Sequence, residues 1–243
     1  MIKSCDIYFY HLGLELGTQK ITKYTNDFFM GKKLGFNLNR EDAGLIPEIK
    51  NQSNKNRITF SVGDIPNIAI GQGSLLMTPL QIAVMYAAIA NDGHIWQPFI
   101  VKKLSSHLGE VEEEKFPNLL NKISRIDKKN YKIIRNALRK VVDHPKGTGR
   151  RAKIDGVSIA GKTGSVQVVS LDKNRSRKKS TVSMKWQEHA MFAAFSPVEN
   201  AEIVVVVISE NDSVGGGSIS AAPVAKEILK AYWHRKNRSN NLL

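Results

Sequence analysis

The sequence lacks the features that mark membrane-spanning, secreted and disulfide-bonded proteins. Its 243 residues include one cysteine, Cys5, so an internal disulfide is excluded. It has no stretch of about 18 apolar residues, which a membrane-spanning helix requires. Near its start, Asp6, His11 and Glu15 interrupt the apolar segment that a signal peptide would need. We therefore expect this chain to have neither a signal peptide nor a transmembrane segment.

Acidic residues are the scarcer charged class. The chain has 22 Asp and Glu against 36 Lys and Arg, a formal net charge of +14 that favours polyanionic partners. The basic residues are spread along the whole sequence, however, and form no recognisable nucleic-acid-binding module. We predict a cationic surface without a nucleic-acid partner. Because 42% of the residues are hydrophobic, a disordered chain is excluded, and one large domain or two small ones are expected.

Four segments carry apolar residues at helical spacing, with glycine, proline or asparagine near their ends. The segment after Pro79 is apolar on most faces, so we expect its helix to be buried. Residues 50–57 are predicted to form a polar surface loop, and residues 234–243 a polar tail that we expect to be disordered. Helices are predicted from Ser4 to Gly17, from Pro79 to Asn91, from about Asp127 to Val142 and from Ala221 to about Tyr232.

Three apolar and β-branched runs in the second half of the chain predict strands. HAMFAAFSP and AEIVVVVISEN are two of them, joined by the turn-forming residues 197–200. Their continuous apolar character predicts a sheet that is covered on both faces. The third run precedes them, around Lys162. Helices first, followed by three strands and a terminal helix, predict an α+β fold.

Residues 156–169, GVSIAGKTGSVQVV, fit two functional motifs. As Gly156-x-x-x-x-Gly161-Lys162-Thr163, they fit the phosphate loop of nucleotide hydrolases. As Lys162-Thr163-Gly164 in an alternating apolar run, they fit the substrate-binding strand of penicillin-recognising acyltransferases. The backbone decides between the two, because a phosphate loop precedes a helix that starts at its lysine, whereas the second motif lies along a strand.

The neighbouring residues favour the strand. Positions 157–160 are Val, Ser, Ile and Ala, which favour extended structure, and residues 165–169 show no helical periodicity. The run IVVVVISE at 203–210 imitates the magnesium-binding strand of nucleotide hydrolases, but a buried core strand has the same composition. We predict that Lys162 lies in the middle of a strand, and we keep the nucleotide hydrolase as the alternative.

A Lys-Thr-Gly motif on a strand that faces a cleft can hold a substrate. The Lys162 ammonium and the Thr163 hydroxyl would bind a carboxylate beside the reacting carbonyl. Gly164 would let the substrate backbone approach, because a side chain there would fill the groove. The backbone N–H of Ser165 would point at a developing oxyanion, an interaction worth about 3 kcal/mol. For the triplet taken alone, a solvent-facing lysine on a strand is the ordinary alternative.

Six segments of the sequence occur in a recognisable order: SCDIYFYHLGLELG, GDIPNIAIGQGSLLMTPLQIAVMYAAIANDG, GTGRRA, IAGKTGSVQV, HAMFAAFSP and ISENDSVGGGSISAAPVAKEIL. Together they resemble the transpeptidase domain of class B penicillin-binding proteins, and most of all the elongation type, penicillin-binding protein 2. The resemblance covers nearly all of residues 1–235. It implies the fold shared with serine β-lactamases, an antiparallel sheet covered by helices. The implied activity is peptidoglycan cross-linking by acyl transfer, without a cofactor or a metal.

The first segment supplies a second motif of this family. Ser4-Cys5-Asp6 is similar to the family's Ser-x-Asp, so the resemblance implies that Ser4 relays a proton to the leaving amine and that Asp6 holds the surrounding hydrogen bonds. The alternative is a helix N-cap at Ser4 and a first-turn acid at Asp6. The predicted catalytic residues are Ser4, Asp6 and Lys162, and the predicted substrate-binding residues are Thr163, Gly164 and Ser165.

The sequence departs from the family pattern in two respects. Ser165 and Val166 stand where threonine and alanine are usual. The family's serine-lysine nucleophile motif is expected some tens of residues before Ser4, whereas the chain begins at Met1. We therefore expect residues 1–233 to be the C-terminal part of a transpeptidase domain, with a fold that is incomplete at its N-terminus and no turnover on its own.

Two Ser-x-x-Lys matches occur elsewhere, at Ser170 and Ser176. Both follow Lys162 in the polar stretch LDKNRSRKK instead of opening a buried helix, and we reject them as nucleophiles. A unit that binds peptidoglycan or a partner without catalysis is the alternative function. Such a unit would bind the stem peptide with an affinity that falls on Lys162→Ala.

The resemblance also implies partners and a location. The implied ligands are the peptidoglycan stem peptide and β-lactam antibiotics. The implied protein partners are a glycan polymerase, other proteins of the elongation complex and the missing N-terminal part as a separate chain. The implied location is the outer, periplasmic face of the cytoplasmic membrane.

Overall fold

The structure is a computed structural model that describes residues 1–36, 40–47, 62–166 and 187–240. The polar loop predicted at residues 50–57 lies outside the described residues. The chain divides into two units, which we call the sheet unit and the helical unit. The sheet unit comprises Met1–Asp6, Ile89–Asn91 and Asp127–Leu243, and the helical unit comprises Ile7–Ala88 and Asp92–Ile126.

The described residues form five α-helices and seven strands. The helices are α1 (Asp6–Asp27), α2 (Ile65–Ala69), α3 (Pro79–Ala90), α4 (Lys128–Asp143) and α5 (Ala222–Asn240). The strands are β1 (His94–Trp96), β2 (Lys103–Ser105), β3 (Val111–Glu114), β4 (Leu119–Lys122), β5 (Ala160–Val166), β6 (His189–Ser196) and β7 (Ile203–Ser209). Single 3₁₀ turns occur at Val62–Asp64 and Arg150–Ala152, and a π-helical turn at Gly217–Ala221.

Strands β5, β6 and β7 form an antiparallel sheet in that order. In its register, Lys162 of β5 pairs with Ala193 of β6, and Ala193 pairs with Val206 of β7. The central strand β6 is the most buried of the three, and its residues from Phe192 to Ser196 are all buried. The three predicted strands, their antiparallel pairing and the α+β class are confirmed.

The core of the sheet unit lies where α4 and α5 pack on this sheet. Phe192 is fully buried at its centre, and burial of such a side chain stabilises a fold by about 2–3 kcal/mol. On α5, two alanines carry only a methyl group, so the helix can lie close to the strands. The fully buried residues of the sheet and of α5 in this core cluster include Ala190, Phe192, Ala194, Ala222, Ala225 and Leu229.

The helices follow the predicted positions with two differences. α3 and α4 are confirmed at both ends to within about one residue, as expected for such boundaries. α1 breaks at Gly17, where φ is 70° and ψ is 168°, but it resumes and continues to Asp27. The predicted end of the first helical segment at Gly17 is therefore confirmed, but the second segment was not predicted. Its half-buried residues recur at helical spacing, at Thr18, Ile21 and Thr25.

The second difference is at the end of α5, which continues past Tyr232 to Asn240. Residues 234–240, expected to be disordered, are therefore helical. Side-chain contacts explain this extension. The Lys236 ammonium pairs with the Glu202 carboxylate and lies 5.2 Å from the centre of the Trp233 ring. Tyr232 also donates to Glu202, at 3.1 Å, so the last turns are tied to the residue before β7.

The helical unit has a core of its own, formed by Leu34, Val84, Ala88, Ile95 and Ile123. Two small antiparallel pairs, β1 with β4 and β2 with β3, were not predicted. Their strands have only three or four residues, and β2 and β3 are exposed throughout, so they carry no apolar alternation. None of the helices in the described ranges combines the length and apolarity that crossing a bilayer requires.

Candidate active site

Lys162 lies in the middle of β5, and the strand continues beyond it to Val166. A phosphate loop needs its lysine at the start of a helix, where backbone N–H groups converge on the phosphates. The backbone of β5 is extended instead, and its residues pair one by one with those of β6. The strand prediction for Lys162 is confirmed, and the phosphate-loop interpretation of residues 156–163 is wrong.

The Lys162 side chain reaches the start of the chain. Its ammonium donates to Ser4 Oγ at 2.6 Å and to the carbonyl oxygen of Thr163 at 2.6 Å. Ser4 has a left-handed backbone, with φ of 49°, and its N–H donates to the carbonyl of Met1 at 3.0 Å. Few residues other than glycine adopt that conformation. The structure thus brings together two of the three predicted catalytic residues in one hydrogen bond.

Thr148 joins this group, and the sequence did not predict it. The Thr163 hydroxyl donates to Thr148 Oγ1 at 3.0 Å, and Thr148 Oγ1 lies 3.5 Å from Ser4 Oγ. The backbone N–H of Thr148 donates to the carbonyl of Ile2 at 3.2 Å. Four polar side chains therefore form a continuous row, from Thr163 through Thr148 and Ser4 to Lys162. The signal that could have identified Thr148 is its place in GTGRRA, one of the six family-like segments.

Asp6 acts on Lys162 through its charge. Burial lowers the pKa of the Lys162 ammonium below its ordinary value, and the Asp6 carboxylate opposes this shift by stabilising the charged form. Asp6 itself is exposed in the first turn of α1. Within the described ranges, no hydrogen bond joins its side chain to Ser4 or Lys162. A partly desolvated ammonium bonded to a serine hydroxyl is suited both to proton transfer and to binding a carboxylate.

Gly164 and Ser165, the remaining predicted residues, lie against a glycine-rich loop, residues 215–217. A side chain at Gly217 would place its Cβ 2.6 Å from the carbonyl oxygen of Gly164 and 2.9 Å from its nitrogen, so this loop touches the β5 backbone. A Cβ at Gly216 would lie 2.8 Å from Ser165 Oγ. A Cβ at Gly164 would lie 2.9 Å from Met191 Cε. The loop is therefore a wall beside the Lys-Thr-Gly strand that sequence reasoning missed.

No group of three or more His, Cys, Asp and Glu side chains that could hold a metal ion is found in the part of the chain that the structure describes. What the described residues bring together is one ammonium, three hydroxyl groups and a nearby carboxylate, along an extended strand. These groups can bind an anionic end of a ligand and can pass a proton along a short path.

Comparisons with known proteins identify the family of this chain. The family described as penicillin binding protein transpeptidase domain matches residues 1–230. The peptidoglycan D,D-transpeptidase MrdA of Haemophilus influenzae is 31% identical over 235 residues, which cover 96% of this chain and 36% of that protein. Pseudomonas aeruginosa PBP2 in complex with WCK 5153 is 30% identical, with a TM-score of 0.76, over 96% of this chain and 48% of that one.

A third similar structure is the complex of PBP2 and MreC from Helicobacter pylori, with 27% identity and a TM-score of 0.73. That match covers 95% of this chain and 39% of the other. The chain belongs to the penicillin-binding protein transpeptidase family, in which its likeness is to the penicillin-binding protein 2 type. It spans about a third of the length of the Haemophilus relative, 36%.

Proposed function

We propose that residues 1–233 are the C-terminal part of a D,D-transpeptidase domain and form the carboxylate-binding and proton-relay side of its active site. The observation that carries this proposal is the 2.6 Å hydrogen bond from the Lys162 ammonium to Ser4 Oγ. This bond joins the two family-like motifs into one site. The substrate is the stem peptide of peptidoglycan, and β-lactam antibiotics are bound in its place.

Each residue has a role that follows from its chemistry. Lys162 and Thr163 bind the terminal carboxylate of the stem peptide, which an ammonium and a hydroxyl on one strand suit. During acyl transfer the C–N bond of the substrate breaks as its carbonyl carbon forms a bond to the oxygen of the family's serine nucleophile, which is not assigned within these residues. The leaving amine takes a proton from Ser4, Lys162 returns a proton to Ser4, and the proton released by the nucleophile balances the one that the amine takes. Asp6 keeps Lys162 protonated between turnovers. The Ser165 N–H stabilises the oxyanion.

The proposal assigns no nucleophile to these 243 residues. Ser-x-x-Lys occurs only at Ser170 and Ser176, both outside the described residues. Loss of the nucleophile in a serine hydrolase lowers kcat about a millionfold. We therefore propose that this chain, tested alone, binds stem peptide and β-lactam without forming an acyl-enzyme.

The partners and the location are part of the same proposal. The Helicobacter pylori relative was solved in complex with MreC, and the matched Haemophilus relative is a peptidoglycan D,D-transpeptidase. By analogy, we infer that this chain works on the periplasmic face of the cytoplasmic membrane. There it would act with a glycan polymerase and other proteins of the elongation complex.

Peptide titration tests the binding part of the proposal. A peptide ending in D-Ala-D-Ala is titrated into the chain, and the same peptide with an amidated C-terminus serves as the control ligand. We expect the free carboxylate to improve affinity by about tenfold or more, the effect of a charge-assisted hydrogen bond. Lys162→Met should abolish this preference. Lys153→Met, at an exposed lysine of the same unit, should leave it unchanged. Equal affinities of the Lys162→Met and natural chains would overturn the proposal.

Labelling with a fluorescent penicillin tests the nucleophile part separately. We expect no covalent label on the chain alone. A label that survives denaturation would show that a nucleophile is present, and Ser170→Ala and Ser176→Ala would then identify it. Label that appears only after an upstream family segment is added would support the proposal.

A further inference from the structure

Asp212, three residues after β7, holds the glycine-rich wall in place. Its Oδ2 accepts the backbone N–H of Gly215 at 3.0 Å and that of Gly216 at 2.6 Å. Its Oδ1 accepts the Ser220 hydroxyl at 2.6 Å. One carboxylate therefore closes the loop at three points, and the backbone N–H of Asp212 is in turn bonded to the Glu188 carbonyl at 2.7 Å.

The loop backbone needs such a constraint. Gly215 has φ of 155° and Gly216 has φ of 77°, conformations that side chains disfavour and that glycine adopts at the expense of conformational entropy. Desolvation raises the pKa of Asp212, but the hydrogen bonds from Ser220, Gly215 and Gly216 outweigh it and hold the pKa at about 2. The carboxylate is therefore charged throughout the physiological pH range, when its hydrogen bonds are strongest.

The loop closed by Asp212 touches the candidate substrate strand directly. Gly217 lies against the backbone nitrogen and oxygen of Gly164, and Gly216 lies beside the Ser165 side chain. There is no room for a methyl group between Gly217 and the sheet, because its Cβ would be 2.2 Å from the Met191 carbonyl oxygen on β6 and 2.6 Å from the Gly164 carbonyl oxygen on β5. A shift of the loop must therefore change the position of Gly164 and Ser165 or open a gap beside them.

We propose that Asp212 is a positioning residue of this site, which fixes the wall at residues 215–217 and through it the Gly164–Ser165 part of the substrate strand. Asp212 does not touch the ligand; it sets the width of the groove in which the ligand backbone lies. The inference deepens the proposed function and rests on it for the identity of the ligand, but the mechanical link from Asp212 to β5 can be tested without any ligand.

Hydrogen–deuterium exchange of the whole chain tests the mechanical link. The variants are Asp212→Asn, which keeps the shape and removes the charge, and Ser220→Ala, which removes one of the three bonds. Glu210→Gln is the matched control, because it makes the same charge change at an exposed side chain two positions away. We expect both variants to speed exchange about tenfold, equivalent to about 1.4 kcal/mol, in residues 212–217 and also in residues 163–166. Exchange in α4 and in the control should not change.

The outcomes separate the two proposals. Faster exchange in the loop with unchanged exchange in residues 163–166 would overturn the role of Asp212. Faster exchange everywhere, including α4, would also overturn it, because the residue would then serve only global stability. If the variant strand loosens as expected, affinity for the D-Ala-D-Ala peptide should fall about tenfold. If the natural chain binds no peptide, the proposed function is refuted. The exchange result alone then tests whether Asp212 positions the strand.

Discussion

The Lys162 ammonium and the Ser4 hydroxyl are 2.6 Å apart although 158 positions separate them in the chain. Both residues are only half-buried, so packing alone does not require this contact. A hydrogen bond to a charged donor contributes about 1.5–3 kcal/mol where water is partly excluded. The pair therefore defines the polar centre of the site, and its electrostatics can be measured.

Lys162→Met should change how stability depends on pH. Burial lowers the pKa of Lys162 in the folded chain from its ordinary value of 10.5. At pH values between this lowered pKa and 10.5, the unfolded chain therefore binds more protons than the folded chain. The free energy of unfolding contributed by Lys162 therefore rises with pH in that window. We expect urea unfolding to show the natural chain gaining stability over Lys162→Met as the pH rises towards 10.5. Lys153→Met should show a flat difference, and a difference that falls with pH would contradict the direction of the shift.

Thr148 should matter through its hydroxyl group. Thr148→Val keeps the side-chain shape but removes the hydroxyl. The variant therefore loses the hydrogen bond with Thr163 Oγ1 at 3.0 Å and the contact with Ser4 Oγ at 3.5 Å. We expect affinity for the D-Ala-D-Ala peptide to fall about fivefold, the effect of roughly 1 kcal/mol. Thr148→Ser retains the hydroxyl and should stay within about twofold of the natural chain. Equal losses in both variants would point to packing of the methyl group instead.

Local sequence patterns were sufficient for the strands around this site. The β-branched and apolar neighbours of Lys162 have no helical period, and the two continuous apolar runs are short and joined by turn-forming residues, which favours buried strands. The contact of Lys162 with Ser4 has no such local signal, because it depends on how distant elements pack. Only the resemblance to a known family placed Ser4 near Lys162 before the structure did.

Other features had no local signal, although Thr148 and residues 215–217 both lie within family-like segments. Thr148 lies in a short turn between α4 and β5, where no periodicity tells which way a side chain points. The sequence of residues 215–217, three glycines, is also typical of a flexible linker. Its closure into a wall depends on hydrogen bonds from Gly216 and Ser220 to Asp212, which the sequence pattern does not indicate. The extension of α5 depends on the contact of Lys236 with Glu202, which lies far away in the sequence.

Two glycines of the site should differ in their tolerance of a methyl group. At Gly217 a Cβ would meet backbone atoms of Met191 and Gly164 at 2.2 and 2.6 Å, which cannot move independently. At Gly164 it would meet the flexible end of the Met191 side chain at 2.9 Å. We expect Gly217→Ala to lower the free energy of unfolding by about 3 kcal/mol and Gly164→Ala by about 1 kcal/mol or less. Thermal and urea unfolding compare them, and the reverse order would contradict this packing.

Gln81 should be the most sensitive polar residue of the helical unit. It is 2% exposed, and its Nε2 donates to the carbonyls of Lys32 at 3.0 Å and Ala43 at 2.8 Å, while its Oε1 accepts the N–H of Thr78 at 3.0 Å. Gln81→Leu leaves these three backbone groups without their partner and should lower the free energy of unfolding by about 3 kcal/mol. Gln97→Leu, which removes the solvent-exposed bond to the Gly35 carbonyl, is the control. It should lower that free energy by less than about 1 kcal/mol.

Asp212→Asn should destabilise the chain in a way that depends on pH. The pKa of Asp212 is about 2 in the folded chain against an ordinary value of 3.8, so the folded chain releases its proton more readily. The stability contributed by this carboxylate is therefore fully present above about pH 4 and is lost as the pH falls through 3.8 towards 2. At pH 7 we expect the variant to be less stable by about 1 kcal/mol, a value reduced for the solvent exposure of the residue.

Urea unfolding between pH 7 and about pH 2.5 measures this difference. Most of it should disappear at the acid end, because Asp212 of the unfolded chain takes up its proton below about pH 3.8, whereas the folded carboxylate, with its pKa of about 2, is still largely ionised. Glu210→Gln removes a carboxylate from the same segment without the contacts to Gly215, Gly216 and Ser220, and its difference from the natural chain should be small at every pH. A gap between Asp212→Asn and the natural chain that stays constant down to pH 2.5 would mean that the loop is held by the shape of residue 212 and not by its charge.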